Sequence, residues 1–323
     1  MDTFPLIATG VASTSLNGEI LAIRYTKIVC KNDHKDEYES LDSVYQQMEK
    51  DGSDFVKLSK TEGQIVKERQ KFIVHKINKD TSIEDVKDAY LKLHLLSMKL
   101  VKPNTINLEG IFSALPNVAW TNQGPIHPND LDELRSEYDS LYVRSLDKFP
   151  CLTDYVIPNG VRIADANRVR LGAYLSEGTT IMHEGFVNFN AGTLGPSMIE
   201  GRISAGVVVG KNSDLGGGCS TMGTLSGGNN IKISVGEDCL LGANSGLGIP
   251  LGDRCIIEAG LYLTGGSKVE ILNPDNELIE TVKASTLSGQ DDLLFIRNSL
   301  TGAIQCKPNC KSVILNETLH KND

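Results

Sequence analysis

The chain has 323 residues, enough for two domains and a tail, and its hydrophobic content of 40% and charged content of 23% are those of an ordinary globular protein. A net charge of −9 argues against a nucleic-acid partner, since a polyanion needs a basic surface to displace its counterions, but a few local cations would still hold a phosphorylated cofactor. No apolar run approaches the ~20 residues that cross a bilayer, and Met1–Pro5 has neither the basic nor the apolar region of a signal peptide, so a cytoplasmic protein without membrane contact is expected.

Residues 1–110 read as an α/β domain. Ile20–Tyr25 and Phe72–His75 have strand composition, and the charge-rich stretch 33–50 reads as solvated surface. Thr81-Ser82-Ile83-Glu84 opens an amphipathic helix, with Val86, Tyr90, Leu93, Leu96 and Leu100 at helical spacing. His94 on that helix reads as structural rather than as a ligand. Residues 111–155 read as a helical linker region, with a helix over Asp130–Leu146 following Pro125 and Pro128.

Between 156 and 270 the composition changes. Most of the 31 glycines lie here, and aliphatic residues recur every sixth position at Ile163, Val169, Leu175, Ile181 and Val187. The period resumes at Ile203, Val209 and Leu215, at Val235 and Leu241, and at Leu251, Ile257 and Leu263. A period of six fits neither a helix nor a single strand. It fits a triangular coil of three short strands and three tight corners, in which the aliphatic residue points into a narrow prism and neighbouring coils hydrogen-bond to each other. This hexapeptide-repeat solenoid is followed by a short C-terminal β extension, 271–323. The register breaks between Val187 and Ile203, Leu215 and Val235, and Leu241 and Leu251. Such breaks in a solenoid mark loops or altered corners on the functional surface, and Glu200 and Gly216–Gly218 lie in or beside them.

Seven cysteines, an odd number, fit reduced thiols better than a disulfide framework. Cys306 and Cys310 in CKPNC have no second Cys/His pair nearby to complete a tetrahedral zinc site.

Several loops resemble one family. Asn188–Thr193, Met198–Ser204, Gly216–Gly218, Gly223–Gly227, Leu240–Ser245 and Glu258–Leu261, with Ile106–Leu108 and Asn117–Trp120 upstream, are similar to tetrahydrodipicolinate N-succinyltransferases. The likeness runs over about residues 85–305, while the first ~80 residues match weakly, and Met182–Gly185 resembles one branch in particular. The resemblance implies a left-handed parallel β-helix and a homotrimer with active sites between subunits. It also implies succinyl transfer from succinyl-coenzyme A to the amino group of L-2-amino-6-oxoheptanedioate, in lysine and diaminopimelate synthesis.

A thioester is already activated, so such an enzyme must deprotonate an ammonium, align amine and carbonyl, and stabilise an oxyanion. Glu200 is the expected key carboxylate, acting either as general base or as the nucleophile of an acyl anhydride. Backbone N–H groups at Gly216–Gly218, Gly217 among them, either face the thioester and pantetheine or serve only the turn. Ser220 adds a hydroxyl, and Arg202 is placed to meet a carboxylate. For coenzyme A the resemblance points to Ala243, Glu258, Ala259 and Gly266 along the pantetheine, and to Lys283, Ile296, Arg297, Asn298 and Ser299 at the nucleotide. Ile296 stands where some members carry a second basic residue. The same branch can hold Mg²⁺ or Ca²⁺ on its three-fold axis, here through Asn167 and Glu184, with Asn167 in place of the usual Asp. Rival readings are an N-acetyltransferase on this scaffold and a non-catalytic or carbonic anhydrase-like trimer. His183, the sole histidine in the repeats, weakens both, because the former often uses a histidine base and the latter needs three histidines per zinc.

Overall fold

The computed structural model describes residues 3–50, 69–223 and 231–309; Thr224–Gly227 and Cys310 lie outside the described residues. The chain divides into one compact unit of Met1–Leu95 and Thr105–Pro150 and a second of Leu96–Asn104 and Cys151–Asp323.

The first unit holds an antiparallel sheet in the order Ile20–Cys30, Leu6–Thr14, Gln70–Ile77. Ile7, Val29 and Val74 from the three strands meet Tyr38 and Met48 of a helix over Lys35–Lys50. The stretch expected as solvated surface is therefore a helix that buries one face. The helix expected after Thr81 spans Val86–Ser97; Asp85 Oδ1 accepts the Asp88 N–H at 2.9 Å and caps its start. Leu100 falls beyond its end and is exposed. His94 is fully buried, its Nδ1 2.7 Å from the Tyr90 carbonyl, and burial pushes its pKa down to about 4. The stretch expected as a helical linker carries instead an antiparallel sheet of Gly124–Ile126, Val118–Thr121 and Val143–Asp147. The expected long helix covers only Leu131–Glu137. Val143–Asp147 pairs instead with Val118–Thr121, so tertiary strand pairing overrides the helical reading.

The second unit is a three-sided parallel β-helix. Its sides are ladders in which Ile181, Ile199, Leu215, Leu241 and Ile257 stack, as do Val187 on Ile203 and Leu247 on Leu263, and Leu175, Thr193, Val209 and Val235. These aliphatic side chains form one contiguous core inside the prism, where each buried methylene contributes about 0.8 kcal/mol. Two hairpins, Lys268–Leu272 with Leu278–Lys283 and Leu293–Arg297 with Ile304–Pro308, extend one side. The Cys306 thiol is buried there, and burial pushes its pKa to about 12.

The breaks in period are smaller than the aliphatic count suggests. Thr193 and Thr221 are buried at inward positions, so polar residues continue the count that aliphatic residues interrupt. Thr193 is tolerated because its Oγ1 pairs with Thr179 Oγ1 at 2.7 Å. Two corners are truly short. Three residues separate Ile199 from Ile203, and three separate Leu247 from Leu251, where five separate Leu215 from Thr221 and Leu241 from Leu247. The remaining break falls between Thr221 and Val235, where residues 224–230 lie outside the described residues.

Candidate active site

The short corner at Glu200 lies between two longer ones. On one side is Met182–Gly185 and on the other Gly216–Gly218, because Phe186, Arg202 and Ser220 are successive partners across parallel strands. Gly201 makes the shortcut possible: a Cβ there would lie 2.3 Å from Cys219 Sγ and 2.6 Å from the Cys219 carbonyl oxygen. The corner is thus drawn in against the next coil, and Glu200 sits at its recessed edge, half-buried.

The backbone fixes Glu200 firmly. Its N–H donates to the Leu215 carbonyl at 2.8 Å, and its carbonyl accepts from Gly218 N–H at 3.2 Å. Its carboxylate makes no hydrogen bond or ion pair among the described residues, and Oε2 is 3.5 Å from the point a Gly217 Cβ would occupy. Gly216 N–H donates to Leu241 O at 2.8 Å, and Gly218 N–H is also committed. The Gly217 N–H, between them, has no partner among the described residues. One unpaired donor and one unpaired carboxylate therefore flank the same recess.

Arg202 Nε reaches Ser220 Oγ at 3.4 Å and its guanidinium has no carboxylate partner among the described residues. The Cys219 thiol behind the corner is buried and pushed up to about 12, chiefly by desolvation, which makes it an apolar filler and not a nucleophile. Asp214 on the neighbouring strand was not singled out from sequence. Burial raises its carboxyl pKa first, and the Glu200 charge raises it further.

The residues expected along coenzyme A fall on one corner in part. A Cβ on Gly216 would be 2.9 Å from Ala243 N, and one on Gly242 2.4 Å from Ala259 N, so Gly217, Ala243 and Ala259 belong to successive turns of a strip without bulky side chains. Ile296 lies opposite Glu258, in the neighbouring column of Gly216 and Gly242, since Ile257 pairs with Phe295. The Glu258 carboxylate accepts the Arg297 N–H at 2.7 Å, and so has a structural role at the strand end. A side chain at Gly266 would meet open space. Asn298 closes the 297–304 turn, its Oδ1 accepting from Leu300 N–H at 2.9 Å and Thr301 N–H at 3.1 Å, and Ser299 is exposed in that turn. Arg297 Nη1 donates to Gly302 O at 3.1 Å. Lys283 stands directly opposite Lys268 across an antiparallel pair. Facing lysines repel unless an anion lies between them, and Lys268 carried no family signal in the sequence.

Asn167 and Glu184 do not form a closed metal set within the chain. The Asn167 amide donates to Asp165 Oδ1 at 3.1 Å and its oxygen lies 3.7 Å from Cys151 Sγ. Arg168 Nη2 donates to the Glu184 backbone carbonyl at 2.7 Å, tying the guanidinium to the main chain there. Three neutral amides and three carboxylates from three copies would be a weak donor set. No helix among the described residues is long and apolar enough to cross a membrane.

Three family models match the chain. They are the N-terminal part of tetrahydrodipicolinate N-succinyltransferase over residues 20–113, its middle part over 115–150, and the hexapeptide repeat of succinyl-transferase over 232–265. The first reaches well into the region whose likeness is weak by inspection. The 2,3,4,5-tetrahydropyridine-2,6-dicarboxylate N-succinyltransferase of Pseudomonas putida is 64% identical over 248 residues, covering 76% of this chain and 72% of its own. The Vibrio cholerae enzyme of the same name is 56% identical over 259 residues, covering 79% and 76%. A crystal structure from Campylobacter jejuni, provisionally named a 2,3,4,5-tetrahydropyridine-2-carboxylate N-succinyltransferase, superposes with a TM-score of 0.82 at 31% identity, over 97% of this chain and 94% of the other.

Proposed function

The chain belongs to the tetrahydrodipicolinate N-succinyltransferase family and is an acyltransferase, and on that premise we propose how its recessed corner transfers succinyl from succinyl-coenzyme A to the amino group of L-2-amino-6-oxoheptanedioate. The observation that carries the reading is the pairing of the unengaged Glu200 carboxylate on the short corner with the unengaged Gly217 N–H on the longer corner beside it.

Glu200 takes a proton from the substrate ammonium, which frees the nitrogen lone pair. The nitrogen adds to the thioester carbonyl, and the Gly217 N–H donates to the oxygen as negative charge develops on it. Collapse breaks the C–S bond, and the nitrogen gives up its second proton to solvent. The proton held by Glu200 passes to the departing thiolate, leaving the amide, free coenzyme A and the starting carboxylate. Arg202 meets a carboxylate of the bound dicarboxylic partner, with the Ser220 hydroxyl beside it. The pantetheine lies along the Gly217, Ala243 and Ala259 strip with Glu258 and Gly266 at its edge. The phosphates meet Lys283 and Lys268, and the nucleotide end lies on Ile296-Arg297-Asn298-Ser299.

The enzyme works in the cytoplasm as a homotrimer, with each recess completed by a neighbouring subunit. Asn167 and Glu184 are the residues through which three copies would share a Mg²⁺ or Ca²⁺, and no step of the reaction passes through that ion.

The test is thiol release from succinyl- and acetyl-coenzyme A with and without the amine. Amine-dependent release with succinyl preferred is expected; release with neither donor sinks the assignment. Light scattering tests the assembly, and a monomer contradicts the shared recess.

A further inference from the structure

The six residues at the middle of the strands on the sheet beside the recess are Thr180, Met198, Asp214, Leu240, Ile256 and Leu294, linked in that order by strand pairing. Asp214 is the only charged residue among these six; Arg162, opposite Thr180, and Lys307, opposite Leu294, extend the column at its two ends. It lies between Ser213 and Leu215, both buried inward, so alternation along the strand turns its side chain outward, between those of Met198 and Leu240. Its carboxylate is half-buried and makes no hydrogen bond or ion pair among the described residues.

The next residue, Leu215, accepts the Glu200 N–H at 2.8 Å. The two acids therefore stand on adjacent coils, and the Cys219 thiol feels both of them together with Arg202. Leaving a partly desolvated carboxylate unpaired is costly, and placing a second one near it costs more. Such an arrangement persists where a ligand supplies the missing cation. The guanidinium of Arg202 is on the other side of the corner, bonded to Ser220.

We propose that Asp214 is the second carboxylate of the amine site, holding the substrate ammonium against Glu200 until its proton is taken. This rests on the function proposed above, for which the ammonium is the one cation the reactants bring. Asp214 thereby acts as a specificity residue: it selects an amino dicarboxylate over one lacking the amine, while Arg202 serves the carboxylate that both share.

The experiment compares binding of L-2-aminoheptanedioate and heptanedioate by calorimetry, in wild type and Asp214→Asn, with Tm as the control for folding. Asparagine keeps the shape and removes the charge. The amino ligand should lose about ten- to a hundredfold in affinity, the range for hydrogen bonds to charged groups, while heptanedioate binds the variant as well as or better than wild type. Equal loss for both ligands, or no loss for either, overturns the proposal. Because binding is read without turnover, failure of the succinyl-transfer reading would appear separately, as wild-type enzyme that binds the amine but releases no thiol.

Discussion

Glu200 Oε2 stands 3.5 Å from where a side chain on Gly217 would begin, so a single methyl group at 217 would touch the carboxylate without colliding with the fold. Gly217→Ala is therefore expected to fold with a Tm close to wild type. The methyl crowds the only uncommitted N–H of the glycine run, and kcat should fall about a hundredfold, the scale for losing one oxyanion donor. Gly218→Ala is the contrasting variant. That residue has φ +72° and a Cβ there would lie 2.5 Å from Asn244 Oδ1, so it should lose stability first, seen as a lower Tm.

Replacing Glu200 by Ala or Gln should lower turnover by about 10²- to 10⁴-fold with coenzyme A affinity largely kept. Rapid-quench measurement in the absence of amine separates the two roles open to this residue. A general base gives no burst of thiol, and a stoichiometric burst would show that Glu200 attacks the thioester itself.

Lys268→Ala should raise KM for succinyl-coenzyme A by roughly five- to tenfold with kcat nearly unchanged, because a charge-assisted phosphate contact is lost from ground and transition states alike. The effect should shrink with added salt. Because Lys283 faces Lys268, the apo form of the variant should be no less stable than wild type, having lost a like-charge pair.

His94 predicts an acid-side loss of stability. Its folded pKa of about 4 lies below the ordinary 6.5 because burial disfavours the cation. The unfolded chain thus binds a proton that the folded chain refuses, so the stability His94 contributes is present above pH 6.5 and is lost as pH falls from there toward 4. The full effect is about 3 kcal/mol. Thermal melts across that window should show the decline, and His94→Leu should flatten it.

Thr193→Val tests the hidden continuation of the repeat. The valine fits the prism in size but removes the Oγ1 that pairs with Thr179 Oγ1 at 2.7 Å and accepts the Ser176 N–H at 3.3 Å. A loss of about 1–2 kcal/mol is expected, read as a lower Tm with activity retained. An unchanged Tm would mean the pair of hydroxyls is dispensable.

The prism was legible because its aliphatic residues repeat along the chain without reference to anything distant. What the repeat concealed lay at Thr193 and Thr221, inward positions filled by polar residues, so a pattern counted in aliphatics overstated the breaks. The short corner at Glu200 emerges only when Ile199 is recognised as inward, which requires its stacking on Ile181 and Leu215. Glu200, Gly217 and Arg202 were named from family likeness together with their place in a break. Asp214 and Lys268 were not, because an acid in a strand and a lysine in a hairpin look like solvated surface until their neighbours are known. The first unit was least legible. Helix Lys35–Lys50 is mostly polar, and only Tyr38 and Met48 among its residues are buried.

The two abbreviated corners have a consequence for how such a protein can be altered. Removing a pair of residues at a corner leaves every inward position of the following coil where it was, since the strand pairs on either side keep their register. Chain length at the edges of the prism is thereby uncoupled from its interior, and a hollow can be cut or filled by editing a corner alone. Lengthening the link between Ile199 and Ile203 by two glycines should give an intact, well-folded molecule in which the hollow has been closed over.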